Sequence, residues 1–175
     1  GNYSVIIQDD SACVDTSAIF IIQEPIPLAV VDTAQSNVDC NGNNTGNVRL
    51  MGSGGNPGYM YSLDGINFQS TPFFAGLAAG NYTVTVQDDS SCLATYGIAI
   101  TEPPVLNASI ASLTAVDCNG NSSGVVTIHA QGGTAPYEFA LNGITFSSDS
   151  TFSGLAAGNY TITVRDDSSC LTTVP

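Results

Sequence analysis

The five cysteines, Cys13, Cys40, Cys92, Cys118 and Cys170, are the side chains best able to form a covalent bond. They fall into two classes by local sequence. Cys40 and Cys118 are early cysteines, each following an aspartate and preceding Asn-Gly-Asn. Cys13, Cys92 and Cys170 are late cysteines, each closing a short run that opens with Asp-Asp. Cys92 follows Cys40 at the same interval as Cys170 follows Cys118. The simplest pairing is one disulfide within each unit, Cys40–Cys92 and Cys118–Cys170, and loops of that length are stabilised by ~2–4 kcal/mol when closed. Two alternatives stay open: a bridge between neighbouring units, Cys40 to Cys170, and free thiols.

A second constellation is built from oxygen. Asp39-x-Asn41-x-Asn43 and Asp117-x-Asn119-x-Asn121 place oxygen ligands at alternate positions with glycine between, as at the start of a calcium loop. Asp88, Asp89, Asp166 and Asp167 add carboxylates near the ends of the units. Stacked head to tail, Asp39 and Asn41 of one unit could face Asp166 and Asp167 of the next and hold calcium between them. The competing reading is turn chemistry, for which Asn, Asp and Gly are the standard residues. No other cofactor is expected. His129 is the single histidine, and Met51 holds the equivalent position one repeat earlier, so it has no partner for a metal pair or a triad. Tyr59, Tyr61, Phe68 and Phe74 could stack on a sugar, but they recur in register with the pattern of core positions. No catalytic residue emerges, and the chain is expected not to be an enzyme.

The elements that position these groups repeat with a fixed period. Asp39–Asn43 recurs as Asp117–Asn121, Gly76–Tyr82 as Gly154–Tyr160, and Asp88–Cys92 as Asp166–Cys170, all at one constant offset. Gly1-Asn-Tyr3, Gln8-Asp-Asp10 and Cys13 match the later part of the same unit. The expected organisation is a C-terminal part of a repeat at 1–26, a complete repeat at 27–104, and a repeat lacking most of its final strand at 105–175. Such a chain reads as a window onto a longer array. A period of about 78 residues suits beads on a string better than a solenoid.

Each repeat reads as all-β. Tyr82, Val84 and Val86 alternate with Thr83 and Thr85, the period-2 pattern of a half-buried strand, and Tyr160, Ile162 and Val164 repeat it. Asp64-Gly65 and Asn142-Gly143 predict two-residue hairpin turns with positive φ at both positions. About seven short strands per repeat predict a tandem, Ig-like Greek-key β-sandwich. Leu77-x-x-Gly80-x-Tyr82 and Leu155-x-x-Gly158-x-Tyr160 have the form of a tyrosine corner. This fold bears on the disulfides. If 28–38 forms the first strand, Cys40 and Cys92 sit in turns at opposite ends of the sandwich, beyond the ~4.4–6.8 Å between Cα atoms that a bridge allows.

Fifteen acidic residues against two arginines, with no lysine, give a formal net charge of −13. Such a surface repels nucleic acid and anionic lipid headgroups, and it keeps long fibres apart. Apolar runs such as Ala18–Ile22 are far below the ~20 residues that span a membrane. Expected partners are neighbouring repeats and, at a surface, a substratum or glycan.

The order Asp-Cys-Asn-Gly, Gly-Gly, a Tyr-rich strand, Gly-Leu-Ala-Ala-Gly-Asn-Tyr, Asp-Asp-Ser-Ser-Cys and a closing Glu-Pro resembles the SprB repeat of very large cell-surface adhesins in gliding Bacteroidetes. The resemblance implies secretion by the type IX system, display as an extracellular filament, gliding motility and cell adhesion, with the repeat acting as a stalk. An accessory module of a secreted enzyme, or a strand-exchanging fibre subunit, are the alternatives.

Overall fold

The computed structural model describes all 175 residues, Gly1–Pro175, and contains sixteen strands and no helix. Hence no helix is long and apolar enough to cross a membrane. The first residues form β1 (Asn2–Tyr3), β2 (Ile6–Gln8), β3 (Val14–Thr16) and β4 (Phe20–Ile21). The next stretch forms β5 (Ala29–Ser36), β6 (Gly46–Ser53), β7 (Met60–Ser62), β8 (Phe73–Leu77), β9 (Gly80–Gln87) and β10 (Leu93–Ile100). The last forms β11 (Asn107–Thr114), β12 (Gly124–Gln131), β13 (Tyr137–Leu141), β14 (Thr151–Leu155), β15 (Ile162–Asp166) and β16 (Leu171–Val174).

The two long stretches share one plan. β5-β6-β8 and β10-β9-β7 form two three-stranded sheets, and β11-β12-β14 and β13-β15-β16 repeat the arrangement. The recorded pairings are antiparallel throughout. Six strands stand where about seven were expected. After β7 and β13 the chain returns only as a single bridge, Tyr61 to Gln69 and Phe139 to Ser147, so the hairpin's second arm never becomes a strand. The hairpin turns differ as well. Asn142 and Gly143 both have positive φ, as two-residue turns of this type require. At the matching position only Gly65 does. There the Asp64 carboxylate takes over the turn, accepting bonds from the Ile66 and Asn67 amides at 2.9 and 2.8 Å.

The chain divides into two compact units. One comprises Gly1–Val31, Met51–Thr71 and Val84–Tyr96; the other comprises Asp32–Leu50, Pro72–Thr83 and Gly97–Pro175. The third repeat lies wholly in the second unit and is a two-layer sandwich. Val126 and Ile128 of β12 face Phe139 of β13 and Ile162 and Val164 of β15, with Phe152 and Leu155 at the margin. The alternation in β12 and β15 puts Val126, Ile128, Ile162 and Val164 on one face and Thr127, His129, Thr163 and Arg165 on the other, which is why they form sheets that bury one side. In the first unit Val84 and Val86 are fully buried. The matching Val5 and Ile7 near the start of the chain are about half to two-thirds exposed, at 49% and 67%.

Candidate functional site: the aspartate turns and the cross-repeat disulfide

The Asp-Cys-Asn-Gly-Asn segment folds as a closed turn around its own carboxylate. Asp39 Oδ1 accepts bonds from the Cys40 amide at 2.6 Å, the Thr45 hydroxyl at 2.7 Å and Asn43 Nδ2 at 3.1 Å. The Thr45 and Asn43 bonds, then the Cys40 amide, hold the Asp39 carboxyl below its ordinary value. Asp117 does the same with Ser123 at 2.6 Å, Asn121 at 2.8 Å and the Cys118 amide at 2.8 Å, and is lowered for the same reason, Ser123 leading. Asn41 turns its amide nitrogen to Pro103 O at 3.0 Å, and the Gly42 amide donates to Glu102 Oε2 at 2.7 Å. Asn119 lies exposed in the equivalent turn.

The second carboxylate pair is buried and ties two turns together. Asp166 is 4% exposed. Its Oδ2 accepts from the Thr134 amide at 2.8 Å and its Oδ1 from the Cys170 amide at 2.8 Å. It thus joins the β15–β16 turn to the Gly132-Gly133 turn between β12 and β13. Asp88 makes the same clamp in the first unit, to Asn56 N at 2.9 Å, Ser90 N at 3.0 Å and Cys92 N at 2.8 Å. The Asn56 bond, foremost among these, lowers its pKa. The double glycine is required here. Gly55 and Gly133 both have φ of +57°, and a Cβ on either would strike the clamping carboxylate. Tyr59 and Tyr137 pin the same turns, their hydroxyls donating to Gly54 O and Gly132 O at 2.7 Å. Asp89 and Asp167 leave their side chains exposed and donate their amides to Asn56 O and Thr134 O. No three His, Cys, Asp or Glu side chains converge as a metal cage. Of the residues proposed for calcium, Asp39 and Asp117 use Oδ1 within their own turns, and Asp88 and Asp166 use both carboxylate oxygens to join two turns.

The tyrosine-corner residues bond within their own turns. Tyr82 donates its hydroxyl to Ala78 O at 3.0 Å and Tyr160 to Ala156 O at 3.1 Å. Each bond closes the turn that runs from Leu77 to Gly80, or from Leu155 to Gly158, into the following strand. His129 is exposed on β12, opposite Ser109.

The disulfide runs from Cys40 to Cys170, with 5.7 Å between Cα atoms, and Cys13, Cys92 and Cys118 are free and exposed. This corrects the simplest pairing, Cys40–Cys92 with Cys118–Cys170. The third repeat shows why. Its β11 starts beside the Gly132-Gly133 turn, where Gly133 N donates to Pro104 O and Asp166 holds the Cys170 turn. β11 then runs eight residues before the chain reaches Cys118. At ~3.3 Å per residue the two cysteines of one repeat are separated by about 25 Å of strand. Cys170 instead meets the Asp39–Asn43 turn of the preceding repeat, its sulfur 3.5 Å from Asp39 O. The clamping role of Asp88 and Asp166 was not read from the sequence. Its signal was there: Gly-Gly and Asp-Asp recur in the same register, Gly55 standing to Asp88 as Gly133 stands to Asp166.

These sheets and turns define a tandem β-sandwich protein whose recurring polar groups serve turns and junctions. The SprB repeat model matches residues 33–68 and 110–146, and the chain carries two SprB repeats. No curated protein matches it. Among solved structures it is similar to the three N-terminal domains of the highly immunogenic outer capsid protein (Hoc) of bacteriophage RB49, at 17% identity and a TM-score of 0.48. That match covers 85% of this chain and 57% of the phage chain, so the chain spans little more than half of its length.

Proposed function

We propose that this chain is a segment of an extracellular stalk, a non-catalytic run of beads that holds an adhesive part away from the cell surface. The observation that carries the reading is the joined repeat boundary. Cys40 is bonded to Cys170 across it, and the turn bearing Cys40 also grips the linker through Glu102 and Pro103. A stalk must resist bending and pulling at its joints, and these contacts fall at a joint. Proline at Pro103 and Pro104 restricts the linker further. The acidic surface suits a filament that must not stick to its neighbours. The test is labelling of intact cells of the source organism with antibody against the chain. Gold along extended filaments on unpermeabilised cells, with loss of attachment on blocking, is expected. Label confined to the cell interior overturns the reading.

A second reading, strand exchange between copies, has its own support. A cavity of about 350 Å³ lies open beside Val174, lined by Ile110, Leu113, Val126, Leu155 and Ile162. In the central repeat the corresponding strand continues through Ile98 and Ile100, both buried. Phe20 and Ile22, which match Ile98 and Ile100 in the repeat register, are exposed. A second copy could add that strand to the open edge. Sedimentation that stays monomeric at high concentration rejects this reading.

A further inference from the structure

The bonded pair and the free thiols obey one rule. Cys40, an early cysteine, bonds Cys170, the late cysteine of the following repeat, over a separation of 130 residues. Under that rule Cys118 calls for a late cysteine the same distance further on, and Cys92 for an early one the same distance back. Neither position lies within this chain, and both cysteines are free and exposed.

We propose that every SprB junction is closed by one disulfide, from the early cysteine of one repeat to the late cysteine of the next, so that Cys118 is the docking thiol for the Asp-Asp-Ser-Ser-Cys turn of a further SprB repeat. Both halves of the junction are already formed where the bond is absent. The Cys118 turn has the Asp117 network of the bonded Cys40 turn, down to the Asn121 amide bond to Cys118 O that matches the Asn43 amide bond to Cys40 O. The Cys92 turn has the clamp of the bonded Cys170 turn. Asp88 N donates to Cys92 O as Asp166 N does to Cys170 O, both at 3.1 Å, and Ser91 and Ser169 have φ of 64° and 68°. The geometry therefore precedes the bond. Closing it removes two protons and two electrons from two thiols. A small-molecule disulfide accepts them: one cysteine thiolate attacks it and releases one thiol, and the second cysteine displaces the other half as a second thiol.

The rule has a mechanical consequence. A late cysteine stands only a short way before the next early one, as Cys92 does before Cys118. The shortest covalent path through the array crosses a bond spanning 130 residues, then follows the short backbone stretch from that late cysteine to the next early one. Tension bypasses most of each sandwich, and a repeat that unfolds inside a bonded span yields no length. In the present chain the bond hides about 450 Å of extensible backbone.

The inference rests on the tandem-repeat part of the stalk reading and not on adhesion or display. The test extends the full chain in register, with a copy of residues 98–175 placed after Pro175. The added late cysteine then stands as far beyond Cys118 as Cys170 stands beyond Cys40. The protein is refolded with an oxidised small-molecule disulfide, its free thiols are alkylated without reductant, and its bridges are mapped. Two bridges are expected, Cys40–Cys170 and Cys118 to the added late cysteine, and the Cys118→Ser variant should keep the first and lose the second. Alkylated Cys118, or bridges within repeats, overturns the proposal. In single-molecule stretching of the original chain, reduction should release about 450 Å of added length; no change would also overturn it. Failure of the bridge map leaves the antibody result untouched, so the two readings fail separately.

Discussion

Gly133→Ala tests the claim that a buried carboxylate, rather than turn sequence alone, holds the Gly-Gly corner. Gly133 has φ of +57°, and a Cβ there would strike Asp166 Oδ2 and lie 3.2 Å from Leu106 Cδ1. Two costs follow. The left-handed backbone costs a non-glycine residue about 1–2 kcal/mol. Moving the carboxylate breaks its bond to the Thr134 amide, and a bond to a charged group contributes about 1.5–3 kcal/mol. The sum is about 2.5–5 kcal/mol. Gly154→Ala is the control: its φ is +72° and nothing lies within 4 Å of the added Cβ, so only the first cost applies. Urea unfolding followed by tyrosine fluorescence reads both, since the chain has seven tyrosines and no tryptophan. Gly133→Ala should lose about 2 kcal/mol more than Gly154→Ala, and that excess should shrink in an Asp166→Ala background, where the two changes share a partner. Equal losses to within about 0.5 kcal/mol in the two glycine variants would refute the clamp.

Acid should unfold the protein from below about pH 4. Asp39, Asp64, Asp88 and Asp117 are all held below the ordinary 3.8 in the folded chain by hydrogen bonds to the ionised form. The unfolded chain then takes up protons first as pH falls, so this stabilisation is complete above the unfolded values and is lost as pH drops through the lowered folded ones. A midpoint of denaturation that is level from pH 7 to pH 3 would contradict the assignment. Tyr160→Phe removes the hydroxyl bond to Ala156 O and should cost about 1 kcal/mol, and Tyr82→Phe should cost the same, because the bond recurs in both repeats. Thermal melts that separate the two variants by more than about 1 kcal/mol would show that the corners are not equivalent.

Much of the fold was legible because its information is local. The alternation of Tyr160, Ile162 and Val164 fixes which face of β15 is buried, and the constant repeat offset fixes how often the pattern occurs. The tyrosine corner is likewise a bond across one short turn. What was less legible depends on distance through space. The pairing of Cys40 with Cys170 follows from β11 holding the two cysteines of a repeat at opposite ends; spacing along the chain favours Cys40–Cys92, and only the placement of the first strand argues against it. The strand count went wrong at Asp64 and Asn142, where the local turn signal was strong. A turn signal says that the chain reverses, not how many residues pair afterwards.

The acidic composition has an explanation that neither calcium nor solubility supplied. Five aspartates, Asp39, Asp64, Asp88, Asp117 and Asp166, accept amide bonds at turns whose carbonyls leave those amides unpaired. A small sandwich with short strands has many such turns for each residue of core, and an amide left without a partner there costs more than a lost surface contact. Asparagine could accept the same bonds, but its oxygen is neutral, and a carboxylate accepts more strongly. Ionised aspartate is therefore the stronger turn acceptor available to a chain without helix ends. The consequence is that charge and fold cannot be separated in this protein. Replacing these five with asparagine would bring the net charge nearer zero and loosen the turns together, whereas replacing the exposed Asp89 and Asp167, whose turn contacts run through their amides, should change the charge and leave the fold in place.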